Sequence, residues 1–210
     1  MKTQILKLNP AEIDPEKIRI IAGTISRDGV IVYPTDTFYG LGAGCFSGKA
    51  VRRIFRLKKR PFAKALPVLI SDPAMARGIA ASIPAVFDEL TASFWPGPLT
   101  LVLHAARHLP GELVGPGRTI GVRMPAVAWL RELVSEMGVP ITATSANISG
   151  EGEIASSERV IQVFRNRVEL IVDGGEAPAG RLSTVVDLTL DKPRLVREGA
   201  LPEEKLRKYF

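Results

Sequence analysis

The chain has 210 residues, of which 46% are hydrophobic and 24% are charged; this balance is typical of an ordinary globular protein and excludes disordered and fibrous classes. The net charge of +6 favours a polyanionic partner such as a nucleotide or a nucleic acid, although ordinary surfaces also carry surplus lysines. A single cysteine, Cys45, excludes an internal disulfide and indicates a reducing compartment. No leader-like segment follows Met1 and no apolar run reaches about 18 residues, so we expect a cytoplasmic protein without a membrane partner.

Helices and strands alternate along the chain. The first helix begins at Asp14-Pro15-Glu16, where a carboxylate can cap the first turn, and ends at Asp28-Gly29. Further helices are predicted at 49–59, as two short helices within 72–94, at 126–137 and at 156–165. Strands are predicted at 30–33, 66–70, 99–103, 119–123, 141–144, 170–173, 184–188 and 194–196. This order predicts one α/β domain over residues 1–210, with a large, mostly mixed, twisted open sheet and flanking helices.

The loop after the first predicted strand, Pro34-Thr35-Asp36-Thr37-Phe38-Tyr39-Gly40, is rich in polar groups. Ligands of α/β proteins bind beside the carboxyl ends of strands, and this loop offers hydroxyls, a carboxylate and backbone N–H groups. A surface turn is the alternative, but such a turn seldom combines aromatic and hydroxyl side chains in this way. We therefore predict a ligand-binding loop.

Three familiar kinds of site are not supported. The segment 44–50 begins like a phosphate-binding loop, but its glycine spacing is too short and alanine replaces the Ser or Thr that would hold magnesium. His104 and His108 have no cysteine or carboxylate nearby in sequence, so no protein metal site is expected. Ser145 lacks the flanking glycines of a nucleophile elbow, and no histidine is well placed to activate it.

Cations cluster where a helix is predicted to end. Lys58-Lys59-Arg60-Pro61 places them at the exit that proline forces, and Lys64 follows shortly after. Lys58 and Arg60 are expected to lie at an exposed helix end, and a solvated basic face is the alternative to a ligand-binding role. Thr119 and Arg123 occupy alternating positions of one strand and so share a face. The arginine is suited to a carboxylate or phosphate ligand, or to a structural ion pair.

A second polar strand end, Thr142–Gly150, resembles the first loop in its hydroxyls, amide and glycine. Two such strand ends in one sheet suggest one shared pocket, which Ser183 and Arg197 could complete.

Taken together, six segments identify a family. They are Tyr33–Thr37, Lys58–Pro61, Trp95–Pro98, Val122–Pro125, Thr144–Asn147 and Ser183–Asp187. Over about residues 12–200 the chain resembles the YrdC-type L-threonylcarbamoyladenylate synthases, and these motifs in register make the resemblance specific. It implies a YrdC-like sheet curved around a basic concave cavity. It also implies synthesis of threonylcarbamoyl-AMP and pyrophosphate from L-threonine, bicarbonate or CO2, and ATP, for N6-threonylcarbamoyladenosine formation at position 37 of tRNA.

The resemblance also implies roles for individual residues. L-threonine is expected to contact Thr37, Arg123, Ala143 and Ser183. ATP is expected to contact Arg60, Lys64, Thr119, Ser145, Asn147 and Arg197, with Lys58 and Arg60 as the catalytic cations. Two positions depart from longer relatives: Leu69 replaces a histidine of the threonine pocket, and Glu153 replaces a serine near the nucleotide. Those relatives carry a second domain, so the chain is expected to be the short, single-domain form.

The expected chemistry depends on positioning and charge. The uncharged amine of threonine attacks CO2, and the carbamate oxygen then attacks the α-phosphorus of ATP while pyrophosphate leaves. Fixed cations would stabilise the developing negative charge, and Mg²⁺ is expected with the triphosphate, held mainly by phosphates and water. The glycine- and proline-rich segment 174–182 is expected to close over the substrates and shield the carbamate from water.

Two other functions remain open from the sequence. A YrdC-like module could bind double-stranded RNA or tRNA with its basic cavity and lack this catalysis. Carbamoyl transfer, as in the YrdC domains of larger hydrogenase-maturation proteins, is disfavoured because no acylphosphatase or zinc-finger segment accompanies the domain. For a synthase, the expected partners besides the substrates are tRNA, bound weakly or indirectly, and the proteins that transfer the threonylcarbamoyl group to it.

Overall fold

The computed structural model describes residues 2–61 and 65–210 and confirms the predicted α/β class. The strands are β1 (Gln4–Lys7), β2 (Ile31–Pro34), β3 (Tyr39–Gly42), β4 (Val68–Leu69), β5 (Leu99–His104), β6 (Thr119–Arg123), β7 (Ile141–Thr142), β8 (Thr144–Ser145), β9 (Leu170–Asp173), β10 (Thr184–Asp187) and β11 (Arg194–Arg197). The helices are α1 (Pro15–Ser26), α2 (Gly48–Lys58), α3 (Pro73–Ile79), α4 (Val86–Phe94), α5 (Ala128–Met137) and α6 (Ser157–Phe164). Two 3₁₀ turns follow at Glu203–Lys205 and Arg207–Tyr209. Within the described residues, no helix combines the length and the apolar composition needed to cross a membrane.

The strands are divided between two mixed sheets instead of forming one. The first sheet has the order β1-β9-β2-β3-β8 and the second has the order β11-β10-β5-β6-β4-β7. The chain passes between them at residues 141–145, because β7 pairs with β4 of the second sheet whereas β8 pairs with β3 of the first. Between these strands the N–H of Ala143 donates to the carbonyl of Pro67 at 2.8 Å. The strand predicted over 141–144 is therefore broken at Ala143, beside the cavity described below.

Strand β2, at the centre of the first sheet, is buried on both faces. Successive residues of β2 alternate between two apolar clusters: Ile31 and Tyr33 belong to one and Val32 to the other. The cluster of Ile31 and Tyr33 also contains Ile21 of α1 and Trp129 of α5. The cluster of Val32 is larger and includes residues of α2, α6 and the second sheet. This burial on both faces explains why β2 is a continuous apolar run in the sequence.

Local features fix the start of α1 and the end of α2. The Asp14 carboxylate accepts from the backbone N–H groups of Glu16 and Lys17 at 3.1 Å, which confirms the predicted start of α1. Helix α2 ends at Lys58, and Lys59 follows with φ 50° in the left-handed region. The chain thus turns sharply immediately before Arg60.

Strand β3 lies where the sequence suggests a loop. Its two glycines, Gly40 and Gly42, approach the ring of Tyr33 on the neighbouring strand β2. A Cβ added at Gly42 would lie 2.7 Å from Tyr33 Cε1. These glycines therefore let an aromatic ring lie against the strand, a packing role that local sequence does not distinguish from a turn.

Candidate active site

A cavity of about 340 Å³ opens where the two sheets meet. Its wall includes these side chains that the sequence pointed to: Thr37, Arg60, Leu69, Arg123, Ala143, Ser145, Glu153, Ser183 and Arg197. Three of these residues are arginines and one is a glutamate, so the cavity is basic, as the family resemblance implied.

The loop after β2 presents Thr37 to this cavity. Thr35 organises the loop: its Oγ1 donates to the carbonyl of Phe38 at 2.6 Å and accepts from the N–H of Thr37 at 3.1 Å. The two threonine hydroxyls lie 3.2 Å apart. Such local hydroxyl-to-backbone bonds favour turns over regular structure, which explains why β2 stops at Pro34 and the chain bends here.

Arg123 lies at the end of β6 and is held by the protein itself. Its Nη2 donates to Asp36 Oδ2 in an ion pair, and its Nε donates to the carbonyl of Gly97 at 3.0 Å. The side chain is 13% exposed and reaches the cavity wall. Both sequence interpretations therefore describe part of the arrangement, since the structural ion pair exists and the arginine also borders the cavity. Its other N–H groups have no acceptor among residues 2–61 and 65–210.

Ser183, Thr100 and Arg197 form a second polar group on the wall. The hydroxyls of Ser183 and Thr100 are 2.9 Å apart. Arg197 Nη2 donates to the carbonyl of Ser183 at 2.8 Å and lies 3.4 Å from its hydroxyl. Burial lowers the pKa of Arg197, and the negative charge of Glu153 opposes this effect. Ser183 and Arg197 thus join the pocket, as predicted.

Lys58 corrects an expectation about the end of α2. We expected an exposed side chain there, but Lys58 is 2% exposed. Its Nζ donates to the carbonyls of Ser145 and Asn147 and to Asn147 Oδ1, the last at 2.7 Å. The lysine is buried because the strand end at 145–147 folds over the helix end and supplies three oxygens to the ammonium.

This environment changes the titration of Lys58. Burial, with a smaller contribution from the nearby charge of Arg60, lowers the pKa of Lys58 to about 8, while Glu153 opposes the shift. Lys58 borders an adjoining cavity of about 240 Å³ together with Asn147. Arg60 and Ser145 border both cavities.

Ser145 and Asn147 complete this group. Asn147 Oδ1 accepts from Ser145 Oγ at 2.7 Å as well as from Lys58, and its Nδ2 donates to the carbonyl of Glu151 at 2.6 Å. Arg60 Nη2 donates to the carbonyl of Ala65 at 2.9 Å, and burial lowers the pKa of Arg60. The structure thus brings together the two motifs Lys58-x-Arg60 and Ser145-x-Asn147, which are far apart in the sequence.

One expected ATP contact, Thr119, is not on the wall of either cavity. Thr119 stands at the opposite end of β6 from Arg123, where its hydroxyl donates to the carbonyl of Pro116 at 3.2 Å. The alternating burial of β6 confirms that Thr119 and Arg123 share a strand face. Lys64 lies outside the described residues.

Neither histidine belongs to a metal site in the described part of the chain, where no group of three or more His, Cys, Asp or Glu side chains could hold an ion. His104 Nε2 lies 3.2 Å from the carbonyl of Thr189, and the His108 ring stacks on Phe46.

Sequence reasoning missed the roles of Asp36 and Thr100. Asp36 lies in the polar loop between β2 and β3, and its pairing with Arg123 joins this loop of the first sheet to β6 of the second. Thr100 lies on β5, and the alternation of side chains along a strand could have predicted that it faces the cavity. Its contact with Ser183, which lies far along the chain, could not be predicted in this way.

Comparisons with known proteins identify the family of the chain. The Sua5/YciO/YrdC family model, described as "Telomere recombination", matches residues 23–199. The threonylcarbamoyl-AMP synthase of Pyrococcus abyssi is 42% identical over 198 residues, covering 94% of this chain and 58% of the relative. That of Bacillus subtilis is 35% identical over 194 residues, covering 92% of this chain and 56% of the relative. The chain thus spans little more than half the length of these two curated relatives.

Solved structures show the same fold. The crystal structure of P. abyssi Sua5 complexed with L-threonine has a TM-score of 0.92 at 40% identity, covering 99% of this chain and 61% of that chain. Escherichia coli YciO has a TM-score of 0.87 at 28% identity, covering 96% of this chain and 98% of that chain. Since the family model matches most of its length, the chain belongs to the Sua5/YciO/YrdC family.

Proposed function

We propose that the chain is a nucleotidyltransferase that converts L-threonine, bicarbonate and ATP into threonylcarbamoyl-AMP, pyrophosphate and water. The observation that carries this proposal is the basic cavity between the sheets, at which the Lys58-x-Arg60 and Ser145-x-Asn147 motifs meet. Relatives named threonylcarbamoyl-AMP synthase support it, as does the neighbouring structure with L-threonine.

We assign the threonine end to the wall that contains Thr37, Arg123, Ala143 and Ser183. The substrate carboxylate would bind the N–H groups of Arg123 that are not used by Asp36 and Gly97. The hydroxyl of Thr37 or Ser183 would form a hydrogen bond with the substrate hydroxyl, as donor or as acceptor. Bicarbonate takes up a proton and loses water to give CO2. Such bonds to threonine hold the uncharged amine in one place while it attacks this CO2 and then loses a proton to give the carbamate.

We assign the ATP end to Arg60, Ser145, Asn147 and Arg197, with Lys64 and Thr119 as further candidates. The carbamate oxygen attacks the α-phosphorus, the bond from that phosphorus to the bridging oxygen breaks, and pyrophosphate leaves with the electron pair. Arg60 and Arg197 would stabilise the negative charge that develops on the phosphoryl oxygens and the leaving group. Lys58 would act mainly by positioning the 145–147 segment, because its ammonium is already occupied by three oxygens of that segment.

Mg²⁺ would accompany the triphosphate and neutralise part of its charge. The donor chemistry of the cavity fits this ion, because a carboxylate, Glu153, lies on the wall beside the arginines. Phosphates and water would supply most of its ligands.

The test is threonine-dependent release of pyrophosphate by the purified chain, with the product identified by mass spectrometry. Arg60→Ala should lower turnover, because it should remove roughly 2–4 kcal/mol of transition-state stabilisation. Arg56→Ala, which removes an exposed arginine from the last turn of α2, shortly before Arg60, is the matched control and should keep full turnover. Binding of structured RNA without threonine-dependent turnover would replace this proposal with the RNA-binding function.

The mixed anhydride product hydrolyses readily, so it must be consumed quickly by a group-transfer reaction. We propose that cytoplasmic proteins transfer the threonylcarbamoyl group from it to adenosine 37 of tRNA. Co-incubation of the purified chain with tRNA and a transfer system, followed by nucleoside analysis, tests this step.

A further inference from the structure

Glu153 lies where three cavities meet. It borders the main cavity with Arg60 and Arg197, and the adjoining cavity with Lys58 and Asn147. It also borders an open groove along residues 151–156. Burial lowers the pKa of Lys58 and of Arg197, and the charge of Glu153 opposes this lowering at both residues, so its carboxylate is within electrostatic reach of both cations.

The carboxylate of Glu153 is nevertheless available to a ligand. Its side chain is exposed, and it forms no ion pair or hydrogen bond with the residues at 2–61 and 65–210. The backbone on either side is fixed: Asn147 Nδ2 donates to the carbonyl of Glu151 at 2.6 Å, and the N–H of Tyr39 donates to the carbonyl of Ile154 at 2.8 Å. The backbone that carries Glu153 is therefore fixed beside the cavity, while its carboxylate forms no ion pair with a described residue.

This arrangement conflicts with the binding of a bare triphosphate. Arg60 and Arg197 attract phosphate oxygens, whereas a carboxylate between the two cavities repels them. A divalent cation between the carboxylate and the phosphates removes the repulsion. Mg²⁺ in nucleotide sites is bound in this way, by one or two carboxylates together with phosphates and water.

We infer that Glu153 is a protein ligand of the Mg²⁺ that accompanies ATP. The inference rests on the proposed function, because it requires ATP at the arginine-lined wall. If Glu153 binds the ion, the gain in nucleotide affinity that Mg²⁺ provides depends on the Glu153 carboxylate. A serine, which stands at this position in the longer relatives that the sequence resembles, would not supply a carboxylate oxygen.

The test is calorimetric binding of a non-hydrolysable ATP analogue to the full chain, once with Mg²⁺ and once with EDTA. Three proteins are compared: the unmodified chain, Glu153→Gln, and the matched control Glu158→Gln, which removes the same charge from an exposed position at the start of α6. Mg²⁺ should strengthen binding of the analogue to the unmodified chain and to the control by similar factors. For Glu153→Gln, the gain in affinity from Mg²⁺ should be roughly tenfold smaller. With EDTA, Glu153→Gln should bind the analogue as tightly as the unmodified chain or more tightly, because the repulsion is gone.

Mn²⁺ gives a readout that is independent of nucleotide affinity. Electron paramagnetic resonance of free Mn²⁺ measures how tightly the complex of protein and analogue holds the ion. We expect this affinity to fall on the order of tenfold in Glu153→Gln and to stay unchanged in Glu158→Gln.

Each other outcome has a definite meaning. An equal gain from Mg²⁺ in all three proteins would overturn the inference and leave the proposed function intact. An equal loss of affinity in Glu153→Gln with and without metal would also overturn it, because it indicates a direct contact with the nucleotide, such as a ribose hydroxyl. Failure of the unmodified chain to bind the analogue under either condition would refute the proposed function itself.

Discussion

Arg123 is oriented by the protein before any ligand binds. Asp36 and the carbonyl of Gly97 occupy two of its donors. Asp36→Asn keeps the shape of the partner but removes its charge, so the arginine should lose its fixed orientation. We expect the KM for threonine to rise about tenfold, about 1.4 kcal/mol, with little change in kcat.

Steady-state kinetics with varied threonine measures this effect. Asp191→Asn, at an exposed position after β10, is the control and should leave KM unchanged. An unchanged KM in Asp36→Asn would mean that Gly97 and β6 alone orient the arginine.

Lys58 should make stability depend on pH in a specific direction. Its pKa is about 8 in the folded protein and near 10.5 when exposed, so between these values the unfolded chain holds a proton that the folded protein has released. Unfolding then takes up a proton, and stability rises with pH. From about pH 7.5 to about pH 9.5 the gain should be about 1–2 kcal/mol, and Lys58→Met should lack it.

The measurement is the free energy of unfolding by denaturant across this pH range. Burial raises the pKa of the Cys45 thiol to about 12, which lowers stability as the pH rises above about 9, but it does so in both proteins. The difference between the two pH curves therefore isolates Lys58. Lys49→Met, at an exposed position on the same helix, should retain the pH dependence of the unmodified chain, and equal curves for Lys58→Met would contradict the prediction.

At the scale of elements, β3 depends on the absence of a side chain at Gly42. Gly42→Ala should lower the free energy of unfolding by about 1–3 kcal/mol, because the new Cβ would lie 2.7 Å from the Tyr33 ring. Gly44→Ala is the control, since its Cβ would meet Ile25 at an ordinary 3.6 Å. Denaturant midpoints compare the two; equal midpoints would show that the Tyr33 ring can move aside.

Elements with local signals were predictable from the sequence, and elements defined by distant partners were not. The start of α1 depends on Asp14 and Pro15, which act within one turn. Strand β1 went unpredicted because three of its four residues are exposed and its partner, β9, lies far along the chain. Strand β3 went unpredicted because its glycines are explained by Tyr33 on another strand.

The same distinction applies to the candidate site. Motif segments with hydroxyls and cations after strands indicated the cavity wall, and Thr37, Arg123 and Ser183 all lie on it. The burial of Lys58 was not predictable, because it is produced by residues 145–147 rather than by the sequence around the lysine. The pairing of Asp36 with Arg123 likewise depends on how two sheets meet.

At the scale of the whole molecule, the segment 174–182 links the site to the rest of the fold. The N–H of Ala179 donates to the carbonyl of Thr37, and that of Ala177 to the carbonyl of Ala155, both within 2.9 Å. Leu182 reaches the cavity wall. We expect the segment to tighten over bound threonine and ATP analogue, with amide hydrogen exchange at 180–182 slowed about tenfold.

Hydrogen-exchange mass spectrometry with and without both ligands tests this closure. The exposed turn 190–192 lies away from the cavity and should exchange at the same rate in both samples. Unchanged exchange at 180–182 with both ligands saturating would refute a lid.

The strand pairing also determines how long an early strand remains without its partner while the chain is being synthesised. Ile31 of β2 pairs with Leu170 of β9, and Leu99 of β5 pairs with Thr184 of β10, so both sheets wait for late residues. At about 5–20 residues per second, translation leaves β2 on the order of ten seconds with its hairpin partner β3 but without β9. During that interval the unpaired apolar edge of β2 can pair with other nascent chains. We therefore expect chaperones to bind mainly the first half of this protein during synthesis.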